Sequence, residues 1–146
     1  VFCGLDILGF ALDYLGDSVK LTLRDDDQVQ LVSIVGDNGK LPRESSKNTA
    51  SVGVISYLKA IGSNQGVDIE LTKNLPLGSG MGSSAASGVA ALLAINELMG
   101  NPLTRAELIP HAMEAERIAC GSAHADNVAP GLLGGFVLVR EYTPLD

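Results

Sequence analysis

A run of glycine and serine residues lies between a predicted strand and a predicted helix, from Leu75 to Ser87. It reads LPLGSGMGSSAAS and holds three glycines and four serines in positions 78–87. Glycine lets the backbone turn tightly and approach a ligand without a Cβ atom in the way. The first N–H groups of a following helix have no intrahelical partner, and the helix dipole favours negative charge there. The pattern therefore predicts a site for phosphate.

Two well-known phosphate loops do not fit this run. A Walker A loop ends in Gly-Lys-Ser/Thr, and no lysine follows Gly82. A dinucleotide loop needs a glycine where Ser83 stands and an acidic residue at the end of a second strand, whereas Glu97 falls inside the predicted helix. A glycine-rich turn that caps a buried helix without a ligand stays open, although a cap requires fewer glycines.

The composition limits the class of protein. The 146 residues suit one domain, 46% of them are hydrophobic, and the formal net charge is −7 at pH 7. Nucleic-acid-binding proteins usually carry a basic patch, so we expect no nucleic-acid partner. No apolar run reaches the roughly 18 residues of a membrane span, so we expect no membrane partner. Cys3 and Cys120 are expected to be free thiols in a reducing cytosol.

Alternating apolar and polar residues predict the strands that must hold the loop in place. The predicted strands cover 19–24, 29–35, 67–72 and 136–139. The first two flank the polar turn 25–27 and are expected to pair as an antiparallel hairpin. Residues 1–13 are predicted to be a loop leading into an apolar stretch, and residues 120–135 a long irregular loop.

Capping signals and apolar spacing predict three helices. They cover 49–61, 83–99 and 104–119. Asn48 or Thr49 can cap the first, and the second has so few polar side chains that we expect it to be central and buried. Thr104 and Glu107 form a capping box at the start of the third, which Pro110 interrupts. Hairpins mixed with helices predict an α+β fold with a mixed or antiparallel sheet.

Three motifs resemble those of a known enzyme family. Residues 76–86 resemble the phosphate-binding motif of the GHMP kinases, which include galactokinase, homoserine kinase and mevalonate kinase. GLDILGFAL, at 4–12, is similar to the GFDxLGxAL signature of the homoserine kinase family, with Leu5 where Phe is usual. GSAHADNVAP, at 121–130, with Gly134 and Gly135 after it, is similar to that family's GSxHxDNVAP…GG segment.

The resemblance implies a two-layer fold of the ribosomal-protein-S5-domain-2-like type and an ATP site. It assigns to ATP the residues Pro76, Leu77, Gly78, Ser79, Gly80, Met81, Gly82, Ser83, Ser84, Ala85 and Ala86. Asn48 is a further candidate for the nucleotide base, although a helix cap explains it equally well. Ser84 and Glu116 are implied as Mg²⁺ ligands, which suits a small hard cation that also binds phosphate oxygens and water. A solvated helix-face charge is the alternative for Glu116.

The resemblance also implies that L-homoserine is phosphorylated on its side-chain hydroxyl, a step of threonine biosynthesis. Asp6 would contact the substrate's amino group, as suits a carboxylate, with an Asx turn as the alternative. His124, Asp126 and Asn127 are the other substrate-side candidates. Asn127 would lie near the reacting hydroxyl, whereas His124 and Asp126 could instead orient the loop. No base and no lysine are expected near Asn127, and spacing alone does not support a metal site around His124.

Members of the family are longer than this chain and carry a C-terminal domain whose arginines grip the substrate carboxylate. We therefore expect residues 1–146 to be the N-terminal ATP-binding domain, with the C-terminal domain absent and little activity alone. A cytoplasmic location is expected, a plastid form stays open, and a homodimer is compatible with the sequence. A kinase for mevalonate or a sugar, a non-catalytic nucleotide-binding module and a dinucleotide-binding protein stay open as alternatives.

Overall fold

The computed structural model describes residues 4, 6–14, 16–142 and 145–146. Within these residues the chain forms two small sheets and four helices. The elements are β1 Leu8–Phe10, β2 Ser18–Arg24, β3 Val29–Val35, α1 Thr49–Ala60, β4 Gly66–Thr72, α2 Ser83–Leu98, α3 Ile109–Cys120, α4 Ala125–Leu133 and β5 Phe136–Leu138. The predicted α+β class is confirmed. Cys3 and the side chain of Cys120 lie outside the described residues, and so does the prediction that they are free thiols.

The larger sheet has the strand order β2-β4-β3. β2 runs antiparallel to β4, with Ser18 opposite Thr72, and β3 runs parallel to β4. The predicted hairpin between β2 and β3 is therefore wrong, because β4 lies between these two strands. The loop that joins them pairs with the start of β4 instead: the Gly66 N–H donates to the Asp26 carbonyl (2.8 Å) and the Val67 N–H to the Gln28 carbonyl (2.9 Å).

The helices cover this sheet and enclose the apolar core with it. α1 connects β3 to its parallel neighbour β4, and α2 packs against α1, α3 and α4. Fully buried side chains from both layers form the core, among them Val54, Tyr57, Ile69, Leu71, Leu92, Ile95 and Leu132. The prediction that α2 is central and buried is confirmed. Among the described residues, no helix combines the length and the apolar character needed to cross a membrane.

The predicted start of the first helix is confirmed, whereas the capping box predicted for the third helix forms ahead of the helix itself. The Asn48 side chain caps α1 by accepting a hydrogen bond from the Ala50 N–H (3.0 Å). Thr104 and Glu107 form the expected capping box, with the Thr104 N–H donating to the Glu107 carboxylate (2.8 Å) and the Glu107 N–H to the Thr104 hydroxyl (3.3 Å). The predicted start of this helix and its interruption by Pro110 are therefore wrong: α3 begins at Ile109, and Pro110 lies in its first turn, where proline is tolerated because its missing N–H has no helical partner.

A second, two-stranded sheet pairs β1 with β5 in antiparallel register, with Leu8 opposite Leu138. It packs against α4, which occupies most of the segment predicted to be irregular. The predictions that residues 1–13 and 120–135 are loops are therefore wrong in part, because the first segment contains β1 and the second contains α4. The proline and glycines of the segment disfavour a helix, but its apolar side chains bury one face at helical spacing, at Ala125, Val128, Ala129 and Leu132.

Candidate active site

The glycine-rich loop runs from the end of β4 to the start of α2. Gly78, Gly80 and Gly82 have φ of 71°, 76° and 67°, a left-handed conformation that side chains disfavour. Gly82 is the N-cap of α2, and among the described residues no side chain caps the helix there. The first N–H groups of α2 also have no intrahelical partner. This is the geometry that an anion site requires.

A cleft of about 550 Å³ lies over the loop, a size within the range of small-molecule sites. Its lining includes most of the residues assigned to nucleotide and metal, namely Asn48, Leu77, Gly78, Ser79, Gly80, Gly82, Ser83, Ser84 and Glu116, together with Asn127. Met81 and Ala86 line a second cavity of about 280 Å³ instead. Ala85 is buried in the core, and the Pro76 carbonyl accepts the Ser79 hydroxyl (2.8 Å) within the loop.

Ser84 in α2 and Glu116 in α3 face each other at the edge of the cleft. The Ser84 hydroxyl donates to Glu116 Oε1 across 2.5 Å. The neighbouring Arg117 bonds to both oxygens of Glu114 (2.7 and 2.6 Å) and lowers the pKa of that carboxyl. Glu116 itself is half-buried.

The Ser84–Glu116 pair fits a magnesium ion. Both donors are hard oxygens, and they come from two helices that are fixed by the core. Adjacent oxygens in an octahedral shell with bonds of 2.0–2.1 Å lie about 3 Å apart, so the pair has to open only slightly from its observed separation.

Three lysines line the cleft, although no sequence motif pointed to them: Lys40, Lys47 and Lys73. Asn127 lines the same cleft. Lys73 follows β4 and its side chain is buried beside Asp17, while Lys47 is exposed and pairs with Glu44 (2.6 Å). The cleft therefore combines these lysines with Glu116 in its lining, in a chain whose overall charge is negative.

A cluster of acidic and imidazole groups lies beside Asn127. Asp6, His124 and Asp126 each bring one polar atom within 4.8 Å of the others, and His124 Nδ1 is 3.4 Å from Asp6 Oδ1. Asp126 is only 8% exposed. Its Oδ2 accepts from the Asn127 amide (3.3 Å), whereas its Oδ1 is buried with no hydrogen-bond partner among the described residues. An uncompensated buried carboxylate oxygen of this kind favours a cationic ligand.

Tyr142 holds this cluster together, a role that the sequence did not reveal. Its hydroxyl donates to the Asp6 carbonyl (2.7 Å) and accepts from the Ala125 N–H at the start of α4 (3.2 Å). The residue thereby ties the segment before β1 to the helix that carries Asp126. No motif signal marks Tyr142, because the link joins positions far apart in the chain.

Asn127 lies between the glycine-rich loop and the acidic cluster. It lines both cavities, as Gly82 does. A Cβ atom at position 82 would lie 2.9 Å from Asn127 Oδ1. The structure therefore brings the loop, Asn127 and the Asp6–His124–Asp126 cluster into one continuous region.

Comparisons with known proteins agree with this geometry. Residues 48–135 match the GHMP kinases N-terminal domain family. A homoserine kinase from Chlorobium phaeobacteroides is 55% identical over the whole chain, which covers 49% of that protein. The crystal structure of a homoserine kinase from Cytophaga hutchinsonii superposes with a TM-score of 0.95 at 59% identity, over 99% of this chain and 46% of that one.

A more distant likeness extends to another kinase of the same fold. The crystal structure of L. major mevalonate kinase in complex with R-mevalonate has a TM-score of 0.66 at 20% identity, over 86% of this chain and 39% of that one, and shows the fold alone. The chain belongs to the GHMP kinase family. It spans about half the length of the curated relatives it matches.

Proposed function

We propose that this chain is the N-terminal, ATP-binding domain of an enzyme that transfers the γ-phosphoryl group of ATP to the side-chain hydroxyl of L-homoserine. The product would be O-phospho-L-homoserine, formed in the cytoplasm as a step of threonine biosynthesis. Family membership and the high identity to two homoserine kinases support the proposal. The observation that carries it is the buried Asp126 oxygen beside Asp6, which has no hydrogen-bond partner among the described residues.

The left-handed glycines and the start of α2 would bind the triphosphate. Backbone N–H groups at a helix start hold phosphate oxygens without the need for many side chains. Lys40 and Lys47, which line the same cleft, would neutralise part of the phosphate charge. The Asn48 side chain caps α1, and a contact between Asn48 and the nucleotide base is a secondary part of the proposal.

Ser84 and Glu116 would hold a magnesium ion at the edge of the cleft. When bound, the ion supplies positive charge that stabilises the transferring phosphoryl group. The rest of the contribution comes from the protein, because phosphoryl transfer depends mainly on positioning and on fixed electrostatic groups.

Asp6 and Asp126 would bind the ammonium group of the amino-acid substrate. A cation at this position would supply a partner for Asp126 Oδ1, which has none in the part of the chain that the structure describes, and charge-assisted hydrogen bonds to an ammonium are strong. Mevalonate and sugars carry no ammonium group, so this feature separates homoserine from those alternative substrates. His124, 3.4 Å from Asp6, would orient the carboxylate.

Asn127 would orient the reacting hydroxyl. Its amide can donate or accept a hydrogen bond but cannot take a proton at neutral pH. It would therefore act by position and not as a general base. Asn127 lies between Gly82 and the acidic cluster that would bind the ammonium group. This position suits the role, because the hydroxyl and the ammonium lie at opposite ends of the short homoserine chain.

The proposal is tested with a panel of acceptors offered to the full-length protein with Mg·ATP. We expect ADP release and phosphorylated product with L-homoserine, and much weaker activity with 4-hydroxybutyrate, which lacks only the amino group. Preferential phosphorylation of mevalonate or galactose would contradict the substrate. ATP binding without any transfer would instead favour the non-catalytic module.

A further inference from the structure

We infer that Asp17, Lys73 and Ser87 form a buried clamp that sets the shape of the phosphate loop, and that Lys73 is a positioning residue and not a phosphate ligand. The inference rests on the proposed function, in that the loop has to bind ATP. A lysine in the lining of a phosphate cleft would ordinarily be assigned to phosphate, so the distinction has consequences for nucleotide affinity.

The sheet register brings the charged pair together. Ser18 is opposite Thr72 in the β2–β4 pair, so Asp17 and Lys73 are the next residues at the same edge of the sheet. Lys73 leaves β4 immediately before the loop, and Ser87 lies one turn into α2, after the loop. The side chains of Asp17 and Lys73 are 0% and 1% exposed.

All three ammonium protons of Lys73 have partners inside the protein. The Nζ atom donates to the Asp17 carboxylate, to the Ser83 carbonyl (2.6 Å) and to the Ser87 hydroxyl (2.7 Å). An ammonium group has only three donors. Lys73 would have to break one of these buried bonds in order to bind a phosphate oxygen, and that cost opposes the role of a ligand.

Asp17 connects the two ends of the loop. Its Oδ1 accepts from the N–H groups of Asn74 and Leu75 (3.0 and 3.2 Å), at the loop's entrance. Its Oδ2 accepts from Lys73 and from the Ser87 hydroxyl (2.7 Å), at the loop's exit. One carboxylate therefore fixes the distance between β4 and α2, which the glycines by themselves leave variable.

The two roles of Lys73 make opposite predictions for Asp17→Asn. If Lys73 were a phosphate ligand restrained by Asp17, loss of the carboxylate charge would release the ammonium and tighten ATP binding. If the clamp positions the loop, the same change loosens the loop and weakens ATP binding. The double variant D17N/K73M separates the two further, because residues that act as one unit give non-additive effects.

The experiment compares D17N, K73M, D17N/K73M and S87A in the full-length protein by calorimetry with Mg·ATP and by amide hydrogen exchange of segment 74–87 without nucleotide. We expect D17N and K73M each to weaken ATP binding about tenfold to a hundredfold, since small misplacements of a site cost this much. The double variant should bind no more weakly than the worse single variant, and exchange should accelerate in this segment. Lys20→Met removes an exposed ion pair with Glu70 (2.6 Å) on the same two strands, and should change neither measurement.

Each other outcome has a defined meaning. Equal or tighter ATP binding by D17N, additive losses in the double variant, or unchanged loop exchange would overturn the inference. If K73M fails to fold because Asp17 is left buried and unpaired, S87A still tests the clamp, with an expected loss of about twofold to tenfold because the Ser87 hydroxyl bonds to both Lys73 and Asp17. If the unaltered protein binds no ATP, the proposed function fails, while the exchange data still decide whether the clamp shapes the loop.

Discussion

Gly9 of β1 lies directly against the main-chain carbonyl of Asp126 in α4: a Cβ atom at position 9 would be 1.6 Å from that oxygen. Pro130 leaves this carbonyl without its usual helical partner, because proline has no N–H to donate to the residue four positions earlier. The small strand β1 therefore fits onto the helix that carries the acidic cluster. Asp6, two residues before β1, reaches His124 as a result.

We expect Gly9→Ala to push β1 away from α4 and to cost about 1–3 kcal/mol of unfolding free energy, as over-packing usually does. Since Asp6 moves with β1, the KM for homoserine should rise more than the KM for ATP. Gly16→Ala is the matched control, because no described atom lies within 4 Å of a Cβ atom built there. Equal effects of the two substitutions, measured by thermal unfolding and steady-state kinetics, would contradict this account of Gly9.

Gly82→Ala should impair the phosphate loop by two routes. The residue has a φ of 67°, and its added methyl group would lie 2.9 Å from Asn127 Oδ1. Gly100→Ala introduces similar backbone strain at a φ of 86°, after α2, with no described atom nearby. We expect both variants to lose about 1–2 kcal/mol of stability from the left-handed backbone. Only G82A should lose ATP affinity and turnover, and a comparable loss in G100A would count against the Asn127 contact.

Local patterns in the sequence predicted the parts of the site that depend on neighbours in the chain. The glycine loop, the buried helix α2, the Asn48 cap and the capping box of Thr104 all depend on residues a few positions apart. The strand pairing was wrong because it depends on distant residues: the turn at Asp26 looks like a hairpin, yet its carbonyl bonds to Gly66.

The same reason explains which site residues were missed. Asp17 and Lys73 become a pair only through the register of β2 and β4, and Tyr142 reaches Asp6 from the far end of the chain. The buried positions of α4 repeat at helical spacing, so the sequence contains a signal for this helix. Pro130 inside the segment favours an irregular loop instead. A proline inside a short helix therefore weakens a helix prediction without excluding the helix.

His111 should make the protein less stable as the pH falls. Burial lowers the pKa of His111 below its usual value near 6.5, and its Nδ1 lies 2.8 Å from the Ser56 hydroxyl. The unfolded chain therefore takes up this proton at a higher pH than the folded chain does, so the stability present above pH 6.5 is lost as the pH falls below it. We expect His111→Gln to flatten the fall in melting temperature between pH 7.5 and pH 5. An unchanged slope would mean that other groups control it.

Lys47→Ala should raise the KM for ATP a few-fold without lowering kcat. Lys47 is exposed at the rim of the cleft, so its attraction for phosphate is screened by salt. We therefore expect the difference from the unaltered protein to shrink as the salt concentration is raised from 50 mM to about 500 mM, where the Debye length is only a few ångströms. Lys59→Ala, on the last turn of α1, is the control for a general loss of charge. A salt-independent effect would contradict a purely electrostatic role.

Glu116→Gln should raise the Mg²⁺ concentration needed for half-maximal activity and lower kcat by about a hundredfold, the usual size of a lost charge-stabilising group. The reason is that the amide cannot replace the carboxylate beside Ser84 as a ligand for a hard cation. Glu114→Gln is the matched control two residues earlier in α3, where the carboxylate pairs with Arg117. Titrations of activity against Mg²⁺ at fixed ATP separate the variants. If the Mg²⁺ titration curves of E116Q and E114Q superpose, the assignment of Glu116 as a Mg²⁺ ligand is wrong.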